Sequence, residues 1–209
     1  MDVASDQAAN DAVRITGRSQ AKASRRAAML DAAAALFAER GYNGVSIEEL
    51  GAAAGVSGPA VYRHFSGKPA VLSALLIGVS QDLLEGGKAV VAESATPEIA
   101  LRGLVEFQVD FALRQADVIR VQDRDLGSLP ENDERRVRSL QRQYVEVWVD
   151  ALSALHPGSD LPLLRRRAQG IFGLINSTSH SVHGSTSARD TAKLRSLLDR
   201  MAWAALNAQ

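Results

Sequence analysis

The sequence predicts an all-α protein: an N-terminal three-helix helix-turn-helix head joined to a larger helical-bundle domain, about nine helices in total. Two observations carry this expectation. Alanine, leucine and charged residues dominate, β-branched runs are few, and apolar positions recur every three or four residues, the period of helices with one buried face. Near the N-terminus, glycines and serine caps divide the chain into helices too short to stand alone, which is the pattern of a helical corner.

Residues 1–21 read as a flexible basic arm. After Asp2, Asp6 and Asp11, the stretch from Arg14 to Arg26 holds Arg14, Arg18, Lys22, Arg25 and Arg26 with no acid, either a solvated tail or a phosphate contact. A first helix over residues 23–40 places Ala27, Leu30, Ala33, Ala34 and Phe37 on one face and stops at Gly41, which tolerates a left-handed exit. Ser46 stands three residues before Glu49, a capping box that starts a second helix with Ile47, Leu50, Ala53 and Ala54 inward. Gly55 ends it. A cap at Ser57 starts the third helix, residues 58–64, with Pro59 harmless in the first turn and Val61 and Phe65 as anchors. Ser66, Gly67 and Lys68 open a fourth with Val71, Leu72, Leu75, Leu76 and Val79 apolar, ended by Gly86 and Gly87.

Five further helices follow, near residues 97–115, 117–127, 131–156, 161–183 and 188–207. The long one carries Leu140, Tyr144, Val147, Trp148, Ala151 and Leu155 at helical spacing, and the last carries Leu194, Leu197, Leu198, Met201 and Ala205. The expected division is an arm over 1–21, a head over 22–68 and a body over 69–209.

Composition narrows the function. The 209 residues are 46% hydrophobic, enough for a core without staples, and the absence of cysteine excludes disulfides and thiolate chemistry. No secretory signal is readable, and the apolar stretch over 70–79 is too short to span a bilayer, so a cytoplasmic protein without membrane contact is expected. Lysine plus arginine balance aspartate plus glutamate at 24 each, so local rather than net charge must identify a nucleic-acid site. No nucleophile elbow, phosphate-binding glycine loop or zinc-protease motif is present; no catalytic residue, cofactor or metal is expected. His180 and His183 near Asn176 supply too few ligands for a metal. Gln122, Asp123 and Asp125 among Arg120 and Arg124 read as a salt-bridge network before paired catalytic carboxylates, or as a ligand headgroup contact.

The head carries the strongest functional signal. Gly58 and Ala60 allow close approach to a major groove, Tyr62, Arg63 and His64 offer hydrogen bonds to phosphates or base edges, and Lys68 with its neighbouring amides suits a phosphate. Helix starts at Ser46, Ser57 and Ser66 aim donors the same way. An ordinary helical corner with Tyr62 and Phe65 in the core is the competing reading. Residues 33–37, 39–42, 46–50, 54–57 and 61–68, and above all the run G-V-S-G-P-A-V-Y-R-H-F from Gly55 to Phe65, resemble the head of the TetR family of transcriptional regulators. The resemblance covers about a quarter of the chain, residues 25–71. It implies a homodimeric repressor of double-stranded DNA with a palindromic operator, released when its helical C-terminal domain binds a small hydrophobic effector. By position it assigns DNA contacts to Ser46, Ser57, Gly58, Pro59, Ala60, Tyr62, His64 and Lys68; Arg63 joins them on its chemistry alone. Leu50-Gly51 replaces the usual isoleucine-alanine pair, and Pro69 stands where an acid is commoner. Gly51 weakens its helix by about 1 kcal/mol relative to alanine unless it serves close packing.

In the body, Phe107, Phe111, Tyr144, Trp148 and Phe172 are the expected pocket walls, with Gln108, Asn176 and His180 as polar anchors. An acyl or ring-bearing ligand with its headgroup near Gln122 and Asp123 fits this set. The last two long helices are expected to dimerise through Leu174, Leu194, Leu198 and Met201, and the fourth helix to act as the lever between head and body. The alternative from another class is a helical small-molecule-binding protein or enzyme with no DNA role.

Overall fold

The computed structural model describes residues 3–181 and 187–208, with side chains over 19–180 and 187–208. Among them are ten α-helices, one 3-10 turn and no strand. The chain divides into two compact units, Met1–Leu72 and Ser73–Gln209, and passes between them within α4.

In the first unit, α1 is Val3–Arg40. Its backbone is helical from Val3 onwards, where the sequence suggested a flexible arm; the side chains of Arg14 and Arg18 lie outside the described residues. The buried stripe is Met29, Ala33, Ala34, Phe37 and Ala38, so Met29 takes the inward place expected of Ala27, which is exposed. Gly41, with φ +80, turns the chain out of the helix. α2, Ile47–Ala53, starts on a complete capping box: the Ser46 amide donates to Glu49 Oε2 at 2.8 Å, and the Glu49 amide donates to Ser46 Oγ at 3.2 Å.

α2 buries Ile47, Leu50 and Gly51, while Ala53 is exposed and Ala54 only half-buried. The inward face is shifted because the chain after α2 folds back against Gly51. A Cβ there would lie 2.9 Å from Val56 O and 3.1 Å from Gly58 N, closer than backbone tolerates. Glycine therefore costs helix propensity at position 51 but permits the tight turn. α3 is a single turn, Gly58–Val61; residues 62–64 continue in tighter bonds, with Arg63 N donating to Ala60 O and His64 N to Val61 O. Ser57 occupies the cap position without a side-chain cap bond, unlike the cap expected. Gly67, whose carbonyl accepts from Val71 N, stands at the start of α4, Lys68–Glu93, where Ser66 was expected.

Gly86 and Gly87 do not end α4. A Cβ on Gly86 would overlap the Phe107 ring, and one on Gly87 would lie 2.5 Å from Tyr144 Cε2, so both glycines let aromatic rings reach the helix backbone. The longer helix is, by length and composition, apolar enough to cross a membrane, which the 70–79 stretch was not. Val71, Leu72, Leu75, Leu76 and Leu84 along it are buried within the protein, as in a core helix.

In the second unit α5 (Pro97–Arg114), α7 (Glu131–Leu155), α8 (Leu161–Asn176) and α10 (Ala188–Leu206) form the bundle: α7 packs on α5 and α8, and α10 on the same two. Leu101, Leu104, Trp148, Leu152, Leu164, Ile175 and Leu206 are its fully buried centre. Thr96, Asp160 and Ser187 cap α5, α8 and α10 through side-chain oxygens. α6 (Ala116–Asp125) and the 3-10 turn Leu126–Ser128 flank the bundle.

The single helix expected over 161–183 is interrupted at Ser177, with α9 (Thr178–Ser181) beyond it. Ser177, Thr178 and Ser179 each donate a hydroxyl to the carbonyl three residues back, and three consecutive back-bonds divert the chain from helix geometry. His183 lies outside the described residues. Leu198, expected at a dimer face, is buried in the core at 3% exposure, because it points from α10 towards the unit's own interior. Leu161, Leu163, Leu197 and Met201 are the large apolar side chains left exposed on the described residues of α8 and α10.

Candidate nucleic-acid interface and ligand chamber

The turn from Ser57 to Lys68 alternates between anchoring and presenting. Val61 and Phe65 are buried, at 1% and 5% exposure, whereas Tyr62 between them is 56% exposed. The ordinary-corner reading, which needed Tyr62 in the core, therefore fails for that residue and holds only for Phe65. Ser57, Pro59 and Arg63 are exposed; Gly58, Ala60 and His64 are half-buried, and His64 Nδ1 is enclosed without a hydrogen-bond partner. Ser57 keeps its hydroxyl free of capping.

Two residues assigned to phosphate are engaged elsewhere. The Ser46 hydroxyl donates to Glu49 Oε2 at 2.8 Å while accepting the Glu49 amide, so its proton is committed to the capping box. Lys68 Nζ donates to Tyr42 O and to Val45 O, each at 2.9 Å, and lies 4.5 Å from the Tyr42 ring centroid. With two of its three donors spent on the loop between α1 and α2, the ammonium clamps that loop. Sequence periodicity also missed the Arg40–Glu49 ion pair at 2.7 Å, which ties α1 to α2 across nine residues. The Glu49 carboxyl is held down to about 2 by the Ser46 amide first, then by the Ser46 hydroxyl and Arg40.

In the second unit a chamber of about 180 Å³ is lined by Gln108, Phe111, Gln122, Tyr144, Phe172 and Asn176, all expected, and by Leu83, Ile119, Gln141 and Val145, which were not. Gln141 precedes Tyr144 by three residues on α7, the one signal that placed it on this face. Tyr144 Oη donates to Gln108 Oε1 at 3.1 Å, and Gln108 Nε2 donates to Asn176 Oδ1 at 3.0 Å. Burial pushes the Tyr144 phenol up, so it stays a neutral donor.

Phe107 lines an adjoining cavity of about 340 Å³ with Val79, Asp82, Leu83, Phe111, Arg114 and Gln115. Trp148 is fully buried behind the wall, its ring 5.0 Å from Phe172 and 6.4 Å from Tyr144. Asp123 and His180 do not reach the chamber; they form an exposed pair at 3.0 Å that joins α6 to α9. Arg120 is paired with Asp117 and donates to Ser179 O, and Arg124 is paired with Asp125, so the charges on α6 form a network among themselves.

Comparison with known proteins matches the N-terminal and C-terminal parts of the chain to two family models. The model of bacterial regulatory proteins of the tetR family matches residues 29–75, and that of the tetracyclin repressor-like C-terminal domain matches residues 94–194. The chain is similar to the HTH-type transcriptional repressor KstR2 of Rhodococcus jostii, with 28% identity over 134 residues, 64% of this chain and 66% of the relative. KstR2 of Mycobacterium tuberculosis is 32% identical over 135 residues, 62% of this chain and again 66% of the relative. Among solved structures, a TetR-family transcriptional regulator from Bordetella parapertussis superposes with a TM-score of 0.75 at 27% identity, covering 88% of this chain and 94% of that one. With head and body matched separately, and the same fold over most of its length, the chain belongs to the TetR family of transcriptional regulators.

Proposed function

We propose that the chain is a homodimeric DNA-binding repressor whose operator affinity falls when the chamber is filled by a small, largely apolar molecule. The observation that carries this reading is the presentation of Ser57, Tyr62 and Arg63 on a turn whose alternate residues, Val61 and Phe65, are buried. Rigidly held side chains at a helix tip are what base-edge and phosphate contacts need. Gly58, Pro59 and Ala60 leave room for the groove, His64 borders it, and Ser46 and Lys68 hold the surrounding loop in shape.

The dimer forms through α8 and α10, where Leu163, Leu197 and Met201 are exposed and where a Cβ on Gly170 or Gly173 would meet nothing. Two recognition turns roughly 34–36 Å apart then read successive major grooves of a palindromic site. Ligand and DNA select different separations of the heads, so each lowers the affinity of the other by the same factor. α4, which runs from the Lys68 clamp to Phe107 and the chamber wall at Leu83, carries the change. Such a protein works in the cytoplasm.

Fluorescence anisotropy on DNA from around the protein's own coding region, across a salt series, tests the reading. Wild type should prefer one site over random DNA, and Tyr62→Ala and Arg63→Ala should abolish that preference. Equal binding to every fragment of a genomic pool would leave a helical small-molecule-binding protein in its place.

A further inference from the structure

We propose that α1 carries a second DNA-contacting surface, in which Lys22, Arg25 and Arg26 grip phosphates of the duplex beside the bases that the recognition turn reads. The inference rests on the DNA-binding reading above and adds where the duplex is held outside the turn.

This part of α1 is bare. Residues 19–28 are all exposed, and among the described side chains Met29 is the first that the helix buries. An exposed helix ordinarily neutralises its charges along its own surface. Elsewhere this chain does so: Arg102 pairs with Glu98, Arg114 with Asp110, Arg135 with Glu131 and Arg138 with Glu134, each one turn back. In α1 the pattern is absent. Residues 12–30 contain no acid, and Lys22, Arg25 and Arg26 make no ion pair among the described residues. Lys22 stands three and four residues from Arg25 and Arg26, the spacings at which like charges repel on a helix. An anion from outside the chain relieves that repulsion.

Position identifies the anion. At 3.6 residues per turn, Lys22, Arg25 and Arg26 share about a third of the helix circumference with Met29 and Ala33, two residues of the buried stripe. The face that packs into the head thus continues beyond it as the basic face. Its last cation touches the recognition turn: the Arg26 guanidinium lies over the Phe65 ring, 5.0 Å from the centroid. Phe65 is the buried anchor that follows the exposed Tyr62 and Arg63. Stacking occupies the face of a guanidinium and leaves its in-plane N–H groups to donate. Arg26 is therefore held against the turn with its donors unspent, bordering the duplex that Tyr62 and Arg63 engage. Lys22 stands about 6 Å farther along the helix axis, so the basic face spans more than one phosphate of a strand, spaced roughly 3.4 Å along the duplex.

A lipid surface fits this face less well than DNA. Residues 19–28 contain no apolar side chain larger than alanine, so the stretch has nothing to insert among acyl chains.

The test uses the full-length protein in fluorescence anisotropy across a salt series. The probes are the duplex site that wild type prefers, with its native flanks; the same site with its flanks trimmed; a random duplex; and phosphatidylserine vesicles. The variants are Lys22→Gln, Arg25→Gln, Arg26→Gln and the three combined, with Arg25→Lys to restore the charge and Arg136→Gln, an exposed cation of the second unit, as control; circular dichroism checks the fold. Each glutamine variant should lower the salt slope by about 0.9 and the affinity at 0.1 M salt by about eightfold. The loss should be equal on the preferred site and on random DNA, because phosphates carry no sequence. Arg25→Lys and Arg136→Gln should match wild type, and trimming the flanks should weaken wild type but not the triple variant.

Wild-type salt slopes in all three single variants overturn the inference, and vesicle binding lost in those variants would then assign the face to a membrane. An equal loss in Arg136→Gln also overturns it, since net charge rather than contact would be the cause. So does a triple variant as sensitive to trimming as wild type, or a loss confined to the preferred site. In each of these cases wild type still selects its site and the DNA-binding reading stands; if wild type binds no duplex in a salt-dependent manner, both fall.

Discussion

Replacing Lys68 by methionine separates a structural clamp from a phosphate contact. The ammonium donates to the Tyr42 and Val45 carbonyls at 2.9 Å each and sits 4.5 Å from the Tyr42 ring centroid. A hydrogen bond involving a charged group contributes about 1.5–3 kcal/mol net, and a partly exposed cation–π contact about 0.5–1. One nitrogen shared between two carbonyls at a half-buried site does not reach the full sum, so the expected loss is about 2–4 kcal/mol out of a total of roughly 5–15. Urea unfolding at fixed protomer concentration measures it, and the midpoint should fall with the slope unchanged. DNA affinity measured well below the new transition should keep its salt dependence, because no phosphate contact is lost. The reasoning is refuted if stability changes by less than about 0.5 kcal/mol while the salt slope drops by about 0.9, the signature of one lost phosphate contact.

Other expectations follow from particular contacts. Gly51→Ala should destabilise the first unit and abolish site-specific DNA binding despite alanine's better helix propensity, since its Cβ would meet Val56 O at 2.9 Å; a more stable variant with intact binding would contradict this. Gly87→Ala, whose Cβ would lie 2.5 Å from Tyr144 Cε2, should cost about 1–3 kcal/mol of overpacking strain and alter Trp148 fluorescence. Glu49→Gln should lower the thermal midpoint at neutral pH. Because the folded carboxyl lies at about 2 against an ordinary 4.5, its contribution is present above 4.5 and is lost as pH falls towards 2. The gap between wild type and variant should therefore close over that window, and a gap independent of pH would exclude the charged form as its cause. Gln108→Leu strips Tyr144 Oη and Asn176 Oδ1 of their shared partner; about 1–3 kcal/mol should be lost in thermal unfolding, and an unchanged midpoint would mean water replaces the amide.

The head was legible in the sequence because its signals are local. Gly41 and Gly55, the Ser46–Glu49 box and the anchors Val61 and Phe65 each act within a few residues, and short-range backbone chemistry decides where such helices start and stop. The aromatic wall of Phe111, Tyr144 and Phe172 was legible in kind, since large apolar side chains at helical spacing must face inward.

What the sequence could not decide depended on residues distant in the chain meeting in space. Gly86 and Gly87 look like a helix end until Phe107 and Tyr144 pack on them. Lys68 looks like a surface cation until the loop of Tyr42 and Val45 closes around it, and Leu198 could face a partner or its own core until α10 is seated on α5 and α8. Periodicity and caps report one helix at a time, and so determined the helices of the head and the apolar faces of the body. Which donors are spent, which glycines admit a ring and where the chamber opens were set by inter-helix packing, whose energies arise only once separated segments are in contact.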